Sequence, residues 1–349
     1  MDDFIYADAS QSDMQSTTTI YQFTAQQSIM FPSLDFSHFH NPSQREDFCR
    51  QFVSTLKEYG FVKLISHGIP STQIDQAFAA GRHFFQLPLE QKLKSPHPPT
   101  AHPHRGFSPV GLENVGAVSD YGSSTKSPYL KDMKESYDIG SEYDPLYKNI
   151  WPPAGVDGAF RPTFTSFFEA GYRTELVILK ALSIGLGLPE KTLGQLHATQ
   201  TNELRITHYP AVARGDFAHS TRIAAHTDFG TITLLFQDAV GGLQMEVPPH
   251  SGQFADVESE GPYECILNVG DCLQKWTGLH SARHRVHLPG PSKEEQQIDG
   301  EMVQERFSIA YFAKPDRAAV LRPLLEEGDS DGKYLTANEF QHMRIAGTY

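Results

Sequence analysis

The stretch "AAHTDFGTITLLF", Ala224–Phe236, places His226 and Asp228 two residues apart at the head of a run of Thr, Ile, Leu and Phe. β-Branched and aromatic residues in that density read as a strand. Along a strand, side chains i and i+2 share a face. An extended backbone therefore brings the His226 imidazole and the Asp228 carboxylate together and turns Thr227 away. Composition alone yields roughly one His-x-Asp in a chain of this size, so the pair needs a third ligand to mean anything. Two His and one carboxylate on one face form the facial triad of non-haem Fe(II) sites, which leaves positions open for a cosubstrate and O2. The segment "TGLHSARHRVHLPG" supplies His280, His284 and His287. His284 opens its clearest strand and shares a face with Val286, while His287 points the other way. His284 is the preferred third ligand; His280, a turn residue after Gly278, is the alternative.

The neighbourhood of the pair has the texture of a β domain. From about Glu203, short β-rich runs follow one another: "ELRITHYP", "TITLLFQD", "LQMEVP", "YECILNVGD", "HRVHLPG" and "ERFSIAYFAKP". Gly, Pro and Asp turns separate them, the pattern of a sandwich or barrel. Upstream the chain is mixed, with helices dominating. In "NPSQREDFCRQFVSTLKEYG", Ser43 is the expected N-cap with Glu46 three residues on. Phe48, Phe52, Leu56 and Tyr59 recur at helical spacing, and Gly60 ends the helix. "FVKLISHGIP" reads as a strand running into a turn, and a second helix is expected over Ser71–Phe85. A long helical pattern in "TFTSFFEAGYRTELVILKALSIGLGLP" stops at Gly185, Gly187 and Pro189. Residues 92–130 are dense in Pro, Gly, Ser and His and read as a long loop region. Within it "HPPTAHPH" carries His97, His102 and His104, read as a solvated or lid loop. "YLTANEFQHMRIAGTY" closes the chain as a helix.

The expected fold class is therefore α+β, a helical N-terminal part packed on a β-barrel core, with a C-terminal helix. Residues 1–27 read as a polar arm, 28–200 as the N-terminal region, and 201–349 as the core plus its C-terminal helix, in one compact unit.

Bulk properties narrow the function classes. The 349 residues carry a formal charge of −13, which argues against nucleic-acid or anionic-membrane partners. The N-terminus lacks an apolar signal core, and no apolar run reaches the ~18–20 residues of a membrane span. Cys49, Cys265 and Cys272 form no CxxC pair, against a thiolate zinc site and in keeping with a reducing, cytoplasmic location. Cys265 and Cys272 are expected to pack as small hydrophobes.

An Fe(II) site with open positions can take a 2-oxo acid through its keto oxygen and adjacent carboxylate. If that acid is 2-oxoglutarate, its far carboxylate needs a buried cation. Arg suits this, because its planar fork pairs bidentately with a carboxylate and stays charged. "ERFSIAYF" sets Arg306 and Ser308 on one face of a strand, a guanidinium beside a hydroxyl donor.

Taken together, "HTDFGTITLL", "LNVGD", "LQKWTG…SARHRV" and "RFSIAYF" resemble, in the same order, the Fe(II)/2-oxoglutarate-dependent oxygenases of the isopenicillin N synthase-like family. "FPSLDFSHF…FCRQFVSTLKEYGFVKLISHGIP", "FFQLPLEQK" and "KESYDIG" resemble its N-terminal region, so the likeness runs from about residue 31 onward. The resemblance implies a double-stranded β-helix (jelly-roll) core. It implies His226, Asp228 and His284 as iron ligands, Arg306 and Ser308 at the distal carboxylate of the cosubstrate, and Tyr209 as a further hydrogen bond there. Phe312 matches a position that packs on substrate. Thr207 stands where many members carry Asn, and the turn between Trp276 and His284 is about two residues short of the family pattern. "LPGPSKEEQQIDGEMVQE" is longer than usual and is expected to extend a hairpin outward. The implied chemistry uses Fe(II), 2-oxoglutarate and O2 to hydroxylate, desaturate or rearrange a small organic molecule. The rival readings are a family oxidase that needs no 2-oxo acid and a jelly-roll binding protein without catalysis. Phe107, Tyr121, Tyr129 and Tyr137, in loops over residues 104–140, point to an apolar or aromatic substrate. The motif variants lean toward specialised-metabolite tailoring.

Overall fold

The computed structural model describes residues 28–29, 31–100, 103–113, 131–218, 220–259, 261–288, 302–325 and 333–345. The polar arm 1–27, His102, Tyr121, Tyr129, most of the 288–305 extension and the last four residues lie outside them.

Two sheets organise the chain. The larger has eight strands in the order Ser33–Asp35, Phe61–Ile65, Cys265–Val269, Ile232–Gln237, Arg306–Ala313, Glu203–Tyr209, Glu135–Gly140 and Gly106–Ser108. The smaller has five: Ser28–Ile29, Phe254–Val257, Leu243–Glu246, His284–Val286 and Ile223–His226. "KESYDIG", to which the sequence pattern assigned no element, is a full strand of the larger sheet paired with Glu203–Tyr209.

Period-two alternation assigns the faces of the larger sheet. On Arg306–Ala313, Phe307, Ile309, Tyr311 and Ala313 enter the main core, as do Leu204 and Ile206 on Glu203–Tyr209. Cys265, Leu267 and Val269 do the same, so Cys265 packs as the small hydrophobe expected of it. The opposite face, toward the smaller sheet, receives Arg306, Ser308, Phe312, Tyr209 and Asn268. A second, smaller apolar cluster of Phe31, Tyr209, Leu243, Met245, Ile266 and Val286 lies there.

Helices Arg45–Tyr59, Ser71–Gln86 and Phe160–Gly185 cover the core face of the larger sheet. Gly171 lets the long helix approach closely: a Cβ there would sit 2.7 Å from the Tyr311 ring. Phe48, Phe52 and Leu56 are buried as their spacing predicts. Ser43 is not the cap of that helix. Gln44 holds the cap position without a side-chain bond, and Asn41 Oδ1 accepts from both the Ser43 N–H (3.1 Å) and its hydroxyl (2.9 Å). The amide of Asn41 thus engages the serine locally. Gly60 ends the helix at φ +69°, and its N–H donates to the Leu56 carbonyl at 2.8 Å. No helix among the described residues is long and apolar enough to cross a membrane.

Candidate active site

The stretch Ala224–Phe236 is not one strand. Ile223–His226 belongs to the smaller sheet and Ile232–Gln237 to the larger, so the chain changes sheet between them. Asp228 lies in the connection, past the end of its expected strand. Two glycines permit the crossing. A Cβ on Gly230 would lie 2.5 Å from the Ala313 carbonyl, and one on Gly270 would overlap the Gly230 carbonyl. Helix Asp271–Thr277 pins the connection from below: the N–H of Asp271 donates to the Asp228 carbonyl (2.8 Å) and that of Cys272 to the Gly230 carbonyl (2.9 Å). These are orphan donors of a helix N-terminus. The Thr227 hydroxyl is turned to helix partners instead of the ligands: it accepts from Arg344 Nη2 at 3.0 Å. Arg344 belongs to the C-terminal helix Ala337–Ile345 and also reaches Asp271 at 3.4 Å, so this helix braces the outside of the connection.

His226 and His284 face each other across paired strands, with ring centroids 4.5 Å apart. Their Nε2 atoms lie 3.7 Å and 3.9 Å from Asp228 Oδ1. One ligand atom from each of the three residues falls within 4.8 Å of the others. The remaining polar atoms are already engaged. His226 Nδ1 bonds the Ala224 carbonyl (2.8 Å) and His284 Nδ1 the Ala282 carbonyl (3.1 Å), which sets the proton on Nδ1 and leaves each Nε2 lone pair free. Asp228 Oδ2 accepts from Thr233 Oγ1 (2.6 Å) and Asn268 Nδ2 (2.8 Å), leaving Oδ1 for the centre. Burial, then the neighbouring His284, pushes the His226 pKa down to about 3, so its imidazole stays neutral. Burial opposes the Asp228 anion, yet the two imidazoles and the Thr233 and Asn268 bonds prevail and hold its pKa below the ordinary value. Two imidazole nitrogens and one anionic carboxylate oxygen converging on one point make a donor set that suits Fe(II).

His280 is not part of the cluster; its ring lies against His250, 6.0 Å away. His287 stacks on Phe217. Thr233 and Asn268 are the residues that sequence reasoning missed. Their signal was present, since both are polar positions on the inward face of otherwise apolar strands.

Arg306 is fully buried, and its Nη2 donates to Gln237 Oε1 at 2.6 Å. Its Nε and Nη1 have no hydrogen-bond partner among the described residues. The guanidinium stands 4.8 Å from the Tyr209 ring, and Ser308 lies two residues on along the same face. A buried guanidinium with unused donors fits an incoming carboxylate.

A cavity of about 630 Å³, including its mouth, opens beside the triad and is lined by His226, Asp228, Phe229 and Phe312. His104, Glu203, Arg205 and Lys314 form the rest of its polar wall. Phe107 and Tyr137 are not in this lining. They are buried in an aromatic cluster with Phe84, and Tyr137 donates to the Ile150 carbonyl at 2.6 Å. Hydrophobic burial, not ligand contact, explains those two rings. The Pro-rich loop is likewise not simply solvated: His97 is buried and His104 reaches Glu203 at 3.7 Å. Glu203 pairs with Lys314 and Arg105, and Arg205 with Asp138 at 2.7 Å and Glu113 at 3.0 Å. Burial raises the Glu203 pKa, but Lys314, His104 and Arg105 outweigh it and keep the group ionised. The wall beside the triad thus carries charged side chains, paired with one another and with their neighbours, next to the rings of Phe229 and Phe312.

Comparison with known proteins agrees with this geometry. Residues 31–154 match the family described as non-haem dioxygenase in morphine synthesis N-terminal, and residues 201–315 match the 2OG-Fe(II) oxygenase superfamily. The chain is 40% identical to a 2-oxoglutarate-Fe(II) type oxidoreductase of Metarhizium rileyi, over 91% of each chain. It is also 40% identical to a proline hydroxylase of Petromyces alliaceus, over 90% of this chain and 98% of that one. Among solved structures, a full-length Neurospora crassa protein in complex with alpha-KG superposes with a TM-score of 0.78 at 30% identity, covering 91% and 96% of the two chains. The chain belongs to the 2-oxoglutarate/Fe(II) oxygenase superfamily, in its isopenicillin N synthase-like branch. It is a dioxygenase whose cofactor is Fe(II) and whose cosubstrates are 2-oxoglutarate and O2.

Proposed function

We propose that His226, Asp228 and His284 hold the iron, that Arg306, Ser308 and Tyr209 receive the distal carboxylate of 2-oxoglutarate, and that the cavity behind Phe312 takes the substrate. The observation that carries this is the convergence of two Nε2 atoms on Asp228 Oδ1, with every other polar atom of the three side chains tied elsewhere. Bound there, Fe(II) supplies O2 activation coupled to oxidative decarboxylation of 2-oxoglutarate, with the oxidising power delivered to a substrate C–H bond. The protein's own part is to orient the ligands, anchor the cosubstrate by its far end and keep the pocket dry.

The two sheets form a double-stranded β-helix in this reading, supported by the likeness to solved oxygenases. Residues 28–200 are a supporting region, not a separate catalytic unit, because Phe61–Ile65 and Glu135–Gly140 complete the larger sheet. The substrate is a small organic molecule, a specialised metabolite or its precursor, with an apolar part against Phe229 and Phe312. Hydroxylation is the favoured outcome, supported by the relative named a proline hydroxylase. A cytoplasmic location accords with three buried free cysteines.

The test is anaerobic reconstitution with Fe(II) followed by assay of succinate release. One iron per chain and succinate formation that requires 2-oxoglutarate are expected. Failure to bind iron would leave a binding protein; substrate oxidation without 2-oxoglutarate would make the chain a family oxidase.

A further inference from the structure

A second guanidinium lies beside Arg306. Arg222, at the entry to Ile223–His226, is as fully buried as Arg306. Its Cζ stands 5.7 Å from the centre of the Tyr209 ring, the same ring that Arg306 approaches to 4.8 Å. Arg222 Nη2 donates to the Gln304 carbonyl, which fixes the side chain. Its Nε and Nη1 find no partner among the described residues; the same holds for Arg306 Nε and Nη1 and for Gln237 Nε2. Four buried guanidinium donor atoms beside one tyrosine, and the amide nitrogen of the Gln237 that holds Arg306, therefore have no hydrogen-bond partner among the described residues.

Neither arginine has a carboxylate within ion-pair distance among the described residues. Asp238 is the acid whose charge acts on Arg222. Its oxygens are occupied by the backbone N–H groups of Phe307 (2.6 Å) and Val240 (3.1 Å). It offsets charge through space and leaves the donors unused. Burial, then the Arg306 charge, lowers the Arg222 pKa to about 10, which leaves Arg222 cationic at neutral pH. Two adjacent buried cations without an anion are strongly disfavoured.

We infer that Arg222 is a second cation for the distal carboxylate of the 2-oxo acid, forming with Arg306 a two-guanidinium cradle across Tyr209. A carboxylate offers about four lone-pair sites, enough for the donors that converge here. With Asp238 it brings the local charge to neutrality. The inference rests on the proposed placement of the cosubstrate at Arg306 and Ser308, and it adds a consequence: the site selects 2-oxo acids that carry a second carboxylate.

Calorimetric titration of the anaerobic Fe(II)-loaded protein with 2-oxoglutarate and with pyruvate, which lacks the distal carboxylate, tests it. Arg222→Gln is expected to raise the Kd for 2-oxoglutarate about tenfold or more and to leave that for pyruvate within about twofold. Arg222→Lys keeps the charge without the fork and should fall between. Without cosubstrate, Arg222→Gln should melt no lower than the parent protein, because it removes an unpaired buried charge, while the rise in Tm on adding 2-oxoglutarate should shrink. Equal weakening for both acids, or a lower Tm with an undiminished 2-oxoglutarate shift, would assign Arg222 a structural role and overturn the inference. Should Arg222→Gln not fold, the same contrast between the two acids is read from Arg222→Lys. Unchanged 2-oxoglutarate affinity in Arg306→Gln would instead overturn the cosubstrate site itself, so the two failures are distinguishable.

Discussion

His197 with Glu175, in the main core, and the triad of His226, Asp228 and His284 both set imidazole beside carboxylate, and only the triad is built for a metal. His197 Nε2 and Glu175 Oε1 are 4.0 Å apart, close to the 3.7 Å and 3.9 Å separating Asp228 Oδ1 from His226 and His284. Residue chemistry is alike, and Glu175 Oε1, like Asp228 Oδ1, accepts no hydrogen bond; the imidazole nitrogens differ. His197 spends Nδ1 on the Leu193 carbonyl and Nε2 on Thr231 Oγ1, each at 2.8 Å. Glu175 Oε2 accepts from Tyr311 (2.9 Å) and Asn202 (2.8 Å), which knit the long helix to the Arg306–Ala313 strand. Burial pushes the Glu175 pKa well above the ordinary range and the His197 pKa down to about 4, so both stand neutral. At the triad the carboxylate is kept anionic and both Nε2 atoms turn toward its Oδ1. A charged oxygen with donors behind it and neutral nitrogens in front is what a cation needs; a neutral acid between neutral donors is a structural clip.

Exchanging the properties of the two pairs tests that contrast. Asp228→Ala should have the largest effect: loss of iron binding and succinate release at background. Glu175→Ala, in whatever fraction folds, should keep one iron per chain; loss of iron there would mean the two clusters are not independent. Next come Asn268→Ala and Thr233→Val, which leave the ligands but remove the bonds that aim Asp228. A fall in Fe(II) affinity of about 10–100-fold is expected, the usual penalty for losing such support. Metal titration with unchanged affinity would show that Asp228 needs no aiming. The smallest effect belongs to Glu175→Gln, an isosteric neutral replacement. A raised carboxyl pKa in the folded state means that the folded protein retains a proton that the unfolded chain releases. Stability is then full below the ordinary glutamate pKa and falls as pH rises toward the folded value. Urea unfolding at pH 5 and pH 8 should show the Gln variant gaining about 1 kcal/mol or more on the parent at the higher pH. An identical pH dependence in the two proteins would mean that Glu175 is ionised and the contrast is wrongly drawn.

Much of the site is legible in the chain because a strand exposes alternate residues. In "RFSIAYFA" the apolar positions Phe307, Ile309 and Tyr311 claim the core, which forces Arg306, Ser308 and Phe312 onto the other face. Tyr209 was legible only through the family resemblance, and the structure pairs it with Arg306 across the ladder. Phe107 and Tyr137 show the limit of that reasoning. An aromatic in a loop-rich stretch serves a ligand wall or a core equally well by type, and their burial against Phe84 decided for the core. Arg222 escaped notice for a related reason: a lone Arg before a short strand carries no pattern, and only its unpaired burial marks it.

The sequence by itself determined the residue chemistry, the faces of the long strands and the family resemblance, because alternation and spacing are local properties. The tertiary structure decided where "AAHTDFGTITLLF" breaks. The connection at Thr227–Thr231 carries the chain from one sheet to the other and leaves Asp228 off the strand. Two glycines, a helix N-terminus and an arginine from the C-terminal helix hold it there. Those contacts join positions 40 or more residues apart in the sequence, and no local pattern encodes a partner at that distance.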